Sequence, residues 1–68
     1  MNPADLIRMA NQIAANFHAY ADDEAVEAIA NHLRQFWEPR MRADLRTAIA
    51  DGQAKELNPQ IVRALSKL

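Results

Sequence analysis

No cysteine occurs among the 68 residues, so neither a disulfide nor a thiolate metal site braces the fold. The single glycine, Gly52, excludes a glycine-rich phosphate loop. No apolar run approaches the ~20 residues that a membrane-spanning helix requires. The N-terminus also lacks the basic stretch and apolar core of a secretory signal, so the chain reads as soluble and cytoplasmic, with no membrane partner. A dominant charge sign is missing too. Lys and Arg number 8 against 9 Asp and Glu, for a formal net charge of −1 and a pI near 6.0. That balance argues against nucleic acid as the partner, because phosphate neutralisation needs a distinctly basic surface.

What is present points to one small helical domain spanning residues 1–68. Below roughly 70 to 80 residues a single core seldom supplies more than ~3–5 kcal/mol, and small folds are usually braced by a disulfide, a metal or a partner. Without cysteine, the partner remains. Hydrophobic residues make up 50% of the chain, more than a few short helices can hide, which leaves apolar surface for contact. There is no internal repeat and no low-complexity segment.

Helical periodicity runs through most of the sequence. Asn2 followed by Pro3 is a start signal, since the Asn side chain accepts from an orphan amide and proline at the first helical position forfeits no hydrogen bond. Leu6, Met9, Ala10, Ile13 and Phe17 then recur at spacings of three and four, a core-facing stripe. Asp22, Asp23 and Glu24 suit the positive end of a second helix, with Glu27 a turn later and no basic residue from Ala21 to Asn31 to oppose them. Val26, Ile29, Ala30, Leu33, Phe36 and Trp37 continue the period to about Trp37. Pro39 stops it and opens the next helix, which places a kink or corner at Glu38-Pro39. Met41, Leu45, Ala48 and Ile49 share a face of a third helix ending at Asp51 and Gly52. Gln53 to Leu57 form a connector, Asn58-Pro59 repeats the start signal, and Ile61, Leu65 and Leu68 line a short last helix. The expected fold is all-α, a small compact array of three to four short helices.

Catalytic chemistry finds little footing. His18 and His32 are the only histidines, fourteen residues apart and on different predicted helices, so they form no helical metal pair with each other. Asp22, Asp23, Glu24 and Glu27 could pose as paired carboxylates, but acid–base work needs burial to part their pKa values and a pocket for substrate. A solvated helix start accounts for them.

One segment stands apart, from His32 through Leu33, Arg34, Gln35, Phe36, Trp37, Glu38, Pro39, Arg40 and Met41 to Arg42. It gathers the only tryptophan, one of the two phenylalanines, a methionine, a proline and three arginines. Trp, Arg and Met are enriched at protein interfaces because each joins a large contact area to a polar or adaptable group. This composition suggests a docking corner. The alternative is that Phe36 and Trp37 are core residues of the corner and the arginines merely solvated. A DNA-reading corner is disfavoured, since the local net charge from His32 to Arg46 is only +2.

The runs Met9-Ala10-Asn11-Gln12-Ile13-Ala14 and Ala30-Asn31-His32-Leu33, leading into Phe36-Trp37-Glu38-Pro39-Arg40-Met41-Arg42, resemble the delta subunit of bacterial NAD-dependent, molybdenum-containing formate dehydrogenase. The likeness spans roughly Leu6 to Arg46, and the tail with Leu57, Pro59, Val62, Ala64 and Leu65 is compatible with it. In that family the alpha subunit carries molybdopterin and iron-sulfur clusters, and the beta and gamma subunits pass electrons to flavin and NAD. The delta subunit is small and holds no cofactor. The resemblance therefore implies a non-catalytic accessory subunit that binds the larger subunits and stabilises or helps assemble them, with no catalytic residue to carry over. The matching positions implied for partner binding are His32, Phe36, Trp37, Pro39, Arg40, Met41 and Arg42. Exposed arginines pair bidentately with carboxylates at little cost to a fold, so replacing Arg40 and Arg42 with alanine should leave the fold intact and weaken binding to the partner. Two other readings stay open: an assembly factor acting only on the immature large subunit, and a free-standing helical regulator binding DNA or protein. An exposed apolar corner would also let the isolated chain form a homo-oligomer.

Overall fold

Both Asn-Pro pairs open helices in the computed structural model, which describes all residues from Met1 to Leu68. The Asn2 side chain accepts from the Ala4 amide and the Asn58 side chain from the Gln60 amide, each at 2.8 Å. Each thereby satisfies one of the amides that a helix start leaves orphaned. The elements are α1 (Pro3–Asn16), α2 (Asp22–Phe36), α3 (Pro39–Ala50) and α4 (Pro59–Leu65), with no strand. The α2–α3 corner is the expected one. Trp37 and Glu38 are both extended, which turns the chain before Pro39 starts α3.

Gly52 ends α3 by geometry that few other residues adopt. Its φ is +73°, its amide donates to Ile49 O at 3.1 Å, and the Gln53 amide donates to Ala48 O at 2.9 Å. That pair of bonds is the Schellman motif, which needs a left-handed residue at this position.

The core is drawn from every helix and is wholly apolar. Leu6, Ile29, Leu33, Leu45, Ile61 and Val26 are its largest fully enclosed side chains. The α1 stripe is broader than the periodicity implied. Ile7 and Ala14 are buried with Leu6, Ala10 and Ile13, while Met9 and Phe17 sit at its edge. Leu57 turns the α3–α4 connector into part of the core, with Ala54 packed against it. Leu68 departs from expectation: α4 stops at Leu65, and Leu68 lies beyond it and is exposed, leaving Ile61, Ala64 and Leu65 as the buried face. The radius of gyration is 10.8 Å, against about 11 Å for a compact 68-residue domain. The four helices close around one apolar core.

Candidate docking surface

The corner that the sequence singles out is divided by the fold into an inside and an outside. Phe36 and Trp37 are neighbours with opposite fates: Trp37 is 6% exposed and Phe36 70%. Trp37 leaves the helix as its C-cap, its amide still donating to Leu33 O at 3.1 Å, and swings its indole into the core cluster. Phe36 stays helical, about 60° round the axis from Leu33, where no other helix covers it. Trp37 thus belongs to the core, and Phe36 does not complete the α2 stripe.

The arginines divide in the same way. The Arg42 guanidinium reaches back from α3 and donates through Nη1 to Trp37 O at 2.8 Å and to Leu33 O at 3.1 Å, with Arg34 O at 3.5 Å. Leu33 O also accepts from the Trp37 amide, so there the guanidinium is a second donor, while at Trp37 O it meets a carbonyl beyond the helix end; the negative dipole end of α2 favours a cation at both. Arg42 is therefore part of the corner's structure. The expectation that it could be replaced without cost to the fold is corrected on this ground. Arg40, by contrast, has an 88% exposed side chain and only a 3.9 Å contact to Asp44. Pro39 is exposed as the first residue of α3, and Met41 is half-buried against the core.

His32 links the exposed parts. Its ring lies 4.8 Å from that of Phe36 with a 44° tilt. The same ring borders a shallow groove between α1 and α2 that Met9, Ile13 and Trp37 floor and Arg8 and Gln12 flank. His32 thus joins the exposed Phe36 ring to the edge of this groove. Of the residues singled out in the sequence, the structure presents Phe36, Pro39 and Arg40 outward and His32 and Met41 partly so. Trp37 and Arg42 support them from beneath.

Other polar residues, passed over in the sequence, fix the frame. Asn11 donates from Nδ2 to Glu56 O at 2.9 Å and accepts at Oδ1 from the Asn58 amide at 2.8 Å, tying α1 to the start of α4. Arg46 donates to Leu65 O at 3.3 Å, at the end of α4. The acids of α2, unopposed in sequence, are opposed in space. Asp22 accepts from Arg63 Nη1 at 2.6 Å and from Gln60 Nε2 at 2.8 Å, Asp23 meets Arg63 Nη2 at 3.3 Å, and Glu27 pairs with Lys67 at 2.9 Å. The Gln60 amide, then the Arg63 guanidinium, hold the Asp22 carboxyl below its ordinary range. Lys67 does the same for Glu27, and Asp22 holds the Arg63 proton more tightly. One sequence signal for this seam existed: Asp23 and Glu27 stand four residues apart on one face of α2, and Arg63 and Lys67 repeat that spacing at the end of α4 and in the turn after it.

Nowhere do three or more His, Cys, Asp or Glu side chains converge in a metal-binding arrangement. No helix is long and apolar enough to cross a membrane. Four helices around an apolar core, with every polar interaction at the periphery, define a small all-α protein whose distinguishing chemistry is on its outside. The chain belongs to the NADH-dependent formate dehydrogenase delta subunit family, FdsD, whose family model matches residues 5–65. The matched stretch takes in the aromatic corner and also α4. No curated protein and no solved structure matches the chain.

Proposed function

We propose that the chain is a non-catalytic accessory subunit that docks onto the larger subunits of a formate dehydrogenase complex through the α2–α3 corner, and so stabilises or helps assemble them. Molybdopterin, iron-sulfur clusters, flavin and NAD then belong to those larger subunits. The observation that carries this reading is Phe36, a large aromatic held 70% exposed beside His32 on a rigid corner, in a chain of the delta subunit family. Enclosing such a side chain gains roughly 1.5–3 kcal/mol, and rigid aromatics of this kind are frequent interface hot spots. Arg40 adds an exposed guanidinium, only loosely paired with Asp44, that can meet a carboxylate bidentately.

The test compares Phe36→Ala and Trp37→Ala against purified larger subunits. Phe36→Ala should keep its helical signal and thermal midpoint, since surface changes fall within about 0.5 kcal/mol. Its affinity should drop roughly 30-fold, the equivalent of a ~2 kcal/mol hot spot. Trp37→Ala should instead unfold or nearly unfold the isolated chain, because emptying a core aromatic site costs about 3–5 kcal/mol. Wild-type affinity in a folded Phe36→Ala variant would remove the corner as the docking site.

A further inference from the structure

A second concavity lies between the end of α3 and α4. α4 has 7 residues and spends Ile61, Ala64 and Leu65 on the core, which turns Val62 outward at 42% exposure. Across from it Ile49 is half-buried on α3. Two adjoining hollows share Ile49 and Val62, one running toward Arg46 and Leu65 and the other toward Ala54 and Lys55. No Asp or Glu lines either hollow, and a cation stands at each end.

Both end cations are free to meet an anion. Arg46 makes one hydrogen bond, to the neutral Leu65 carbonyl, and Lys55 has no ion pair. The basic residues of α4 and the turn after it are turned away, because Arg63 and Lys67 are committed to Asp22, Asp23 and Glu27 on α2. A second copy of the chain is a poor occupant. A two-fold contact across this groove would set Arg46 and Lys55 of one copy against Arg46 and Lys55 of the other, like charge on like charge.

We propose that this α3–α4 groove is a second docking surface that takes an acidic amphipathic segment of a partner protein, its apolar side chains on Ile49 and Val62 and its carboxylates on Arg46 and Lys55. The inference rests on the reading of the chain as a bound subunit, but on a face separate from the corner. Two contact faces would let a domain this small bridge two parts of a larger assembly, where linked contacts multiply affinity beyond that of either alone.

The test uses the assembled complex, with the photo-reactive residue p-benzoylphenylalanine placed at position 62 in one preparation and at position 36 in another. The expected crosslink from position 62 is to a larger subunit, within a segment rich in Asp and Glu. A crosslink to a second copy of the chain, to a segment without acidic residues, or to no other chain overturns the groove. If position 36 still crosslinks to a larger subunit in that case, the corner stands alone. If the unmodified chain joins no larger subunit, both readings fail. As a second measurement, Lys55→Glu combined with Val62→Asp should weaken assembly at least ~10-fold, consistent with loss of an interface residue and its charge partner. Unchanged affinity with native helical content would overturn the proposal.

Discussion

Arg42→Met separates a structural arginine from a docking one. Methionine keeps much of the aliphatic stem and removes the guanidinium that donates to Trp37 O at 2.8 Å and Leu33 O at 3.1 Å. Hydrogen bonds involving a charged group contribute about 1.5–3 kcal/mol, and a cation at a helix C-terminus adds about 0.3–1 kcal/mol. Water can replace part of this at a half-exposed corner, so a net loss near 2 kcal/mol is expected, with ~0.05–0.15 kcal/mol per residue available to the whole domain. With a urea slope of about 1 kcal/mol/M for so small a protein, the unfolding midpoint should fall by roughly 2 M. Arg40→Met is the control. Its side chain is 88% exposed and only loosely paired, so its midpoint should stay within about 0.5 M of wild type. Urea titrations followed by circular dichroism measure both. A loss below about 0.5 M in Arg42→Met, or an equal loss in the two variants, would refute the capping role.

Three further perturbations probe the frame. Asn11→Leu removes both bonds that tie α1 to the start of α4, so a cost of about 1–3 kcal/mol should accompany faster hydrogen exchange at the Asn58 amide; exchange at the wild-type rate would count against the tie. Gly52→Ala should cost about 1 kcal/mol through its left-handed backbone alone, since an added Cβ meets nothing within 4 Å, and a much larger loss in calorimetry would point to a contact not accounted for. Asp22 and Glu27 have folded pKa values below their ordinary 3.8 and 4.5. Their contribution is therefore present above those values and lost as pH falls through the lower folded ones. Urea midpoints should decline on acidification below about pH 4.5; Gln60→Leu combined with Arg63→Met removes both donors to Asp22 and should flatten the part due to it, and a wild-type profile in that variant would contradict the pairing.

The parts of the fold that can be read from sequence are those fixed by local rules. The Asn-Pro starts, the Gly52 stop, the corner before Pro39 and most core stripes depend on residues within a turn or two of one another. What escapes is settled where one element meets another, whether the next in sequence or one far along the chain. Phe36 and Trp37 fit the same apolar period, and only the turn after residue 36 sends one inward and leaves the other out. Arg42 looks like its neighbour Arg40 until the end of α2 is placed beside it. Asn11 meets Glu56 and Asn58, and Asp22 meets Arg63, across more than half the chain. Alanine explains why so much apolar composition leaves so few large side chains exposed: it packs short helices closely and adds little side-chain surface when it faces water. The exposed large hydrophobics reduce to Met1, Tyr20, Phe36, Val62 and Leu68. Phe36 anchors the proposed corner and Val62 the proposed groove.

The accessory-subunit reading is tested most directly by capturing tagged wild-type and Phe36→Ala chains from the native cell extract and analysing the protein and metal content of what co-elutes. The expected result is a molybdenum- and iron-containing formate dehydrogenase at near-equal stoichiometry with the wild-type chain and sharply reduced recovery with Phe36→Ala. Recovery of only the cofactor-free large chain would reassign the protein as an assembly factor, and absence of any formate dehydrogenase subunit from the wild-type eluate would contradict the account.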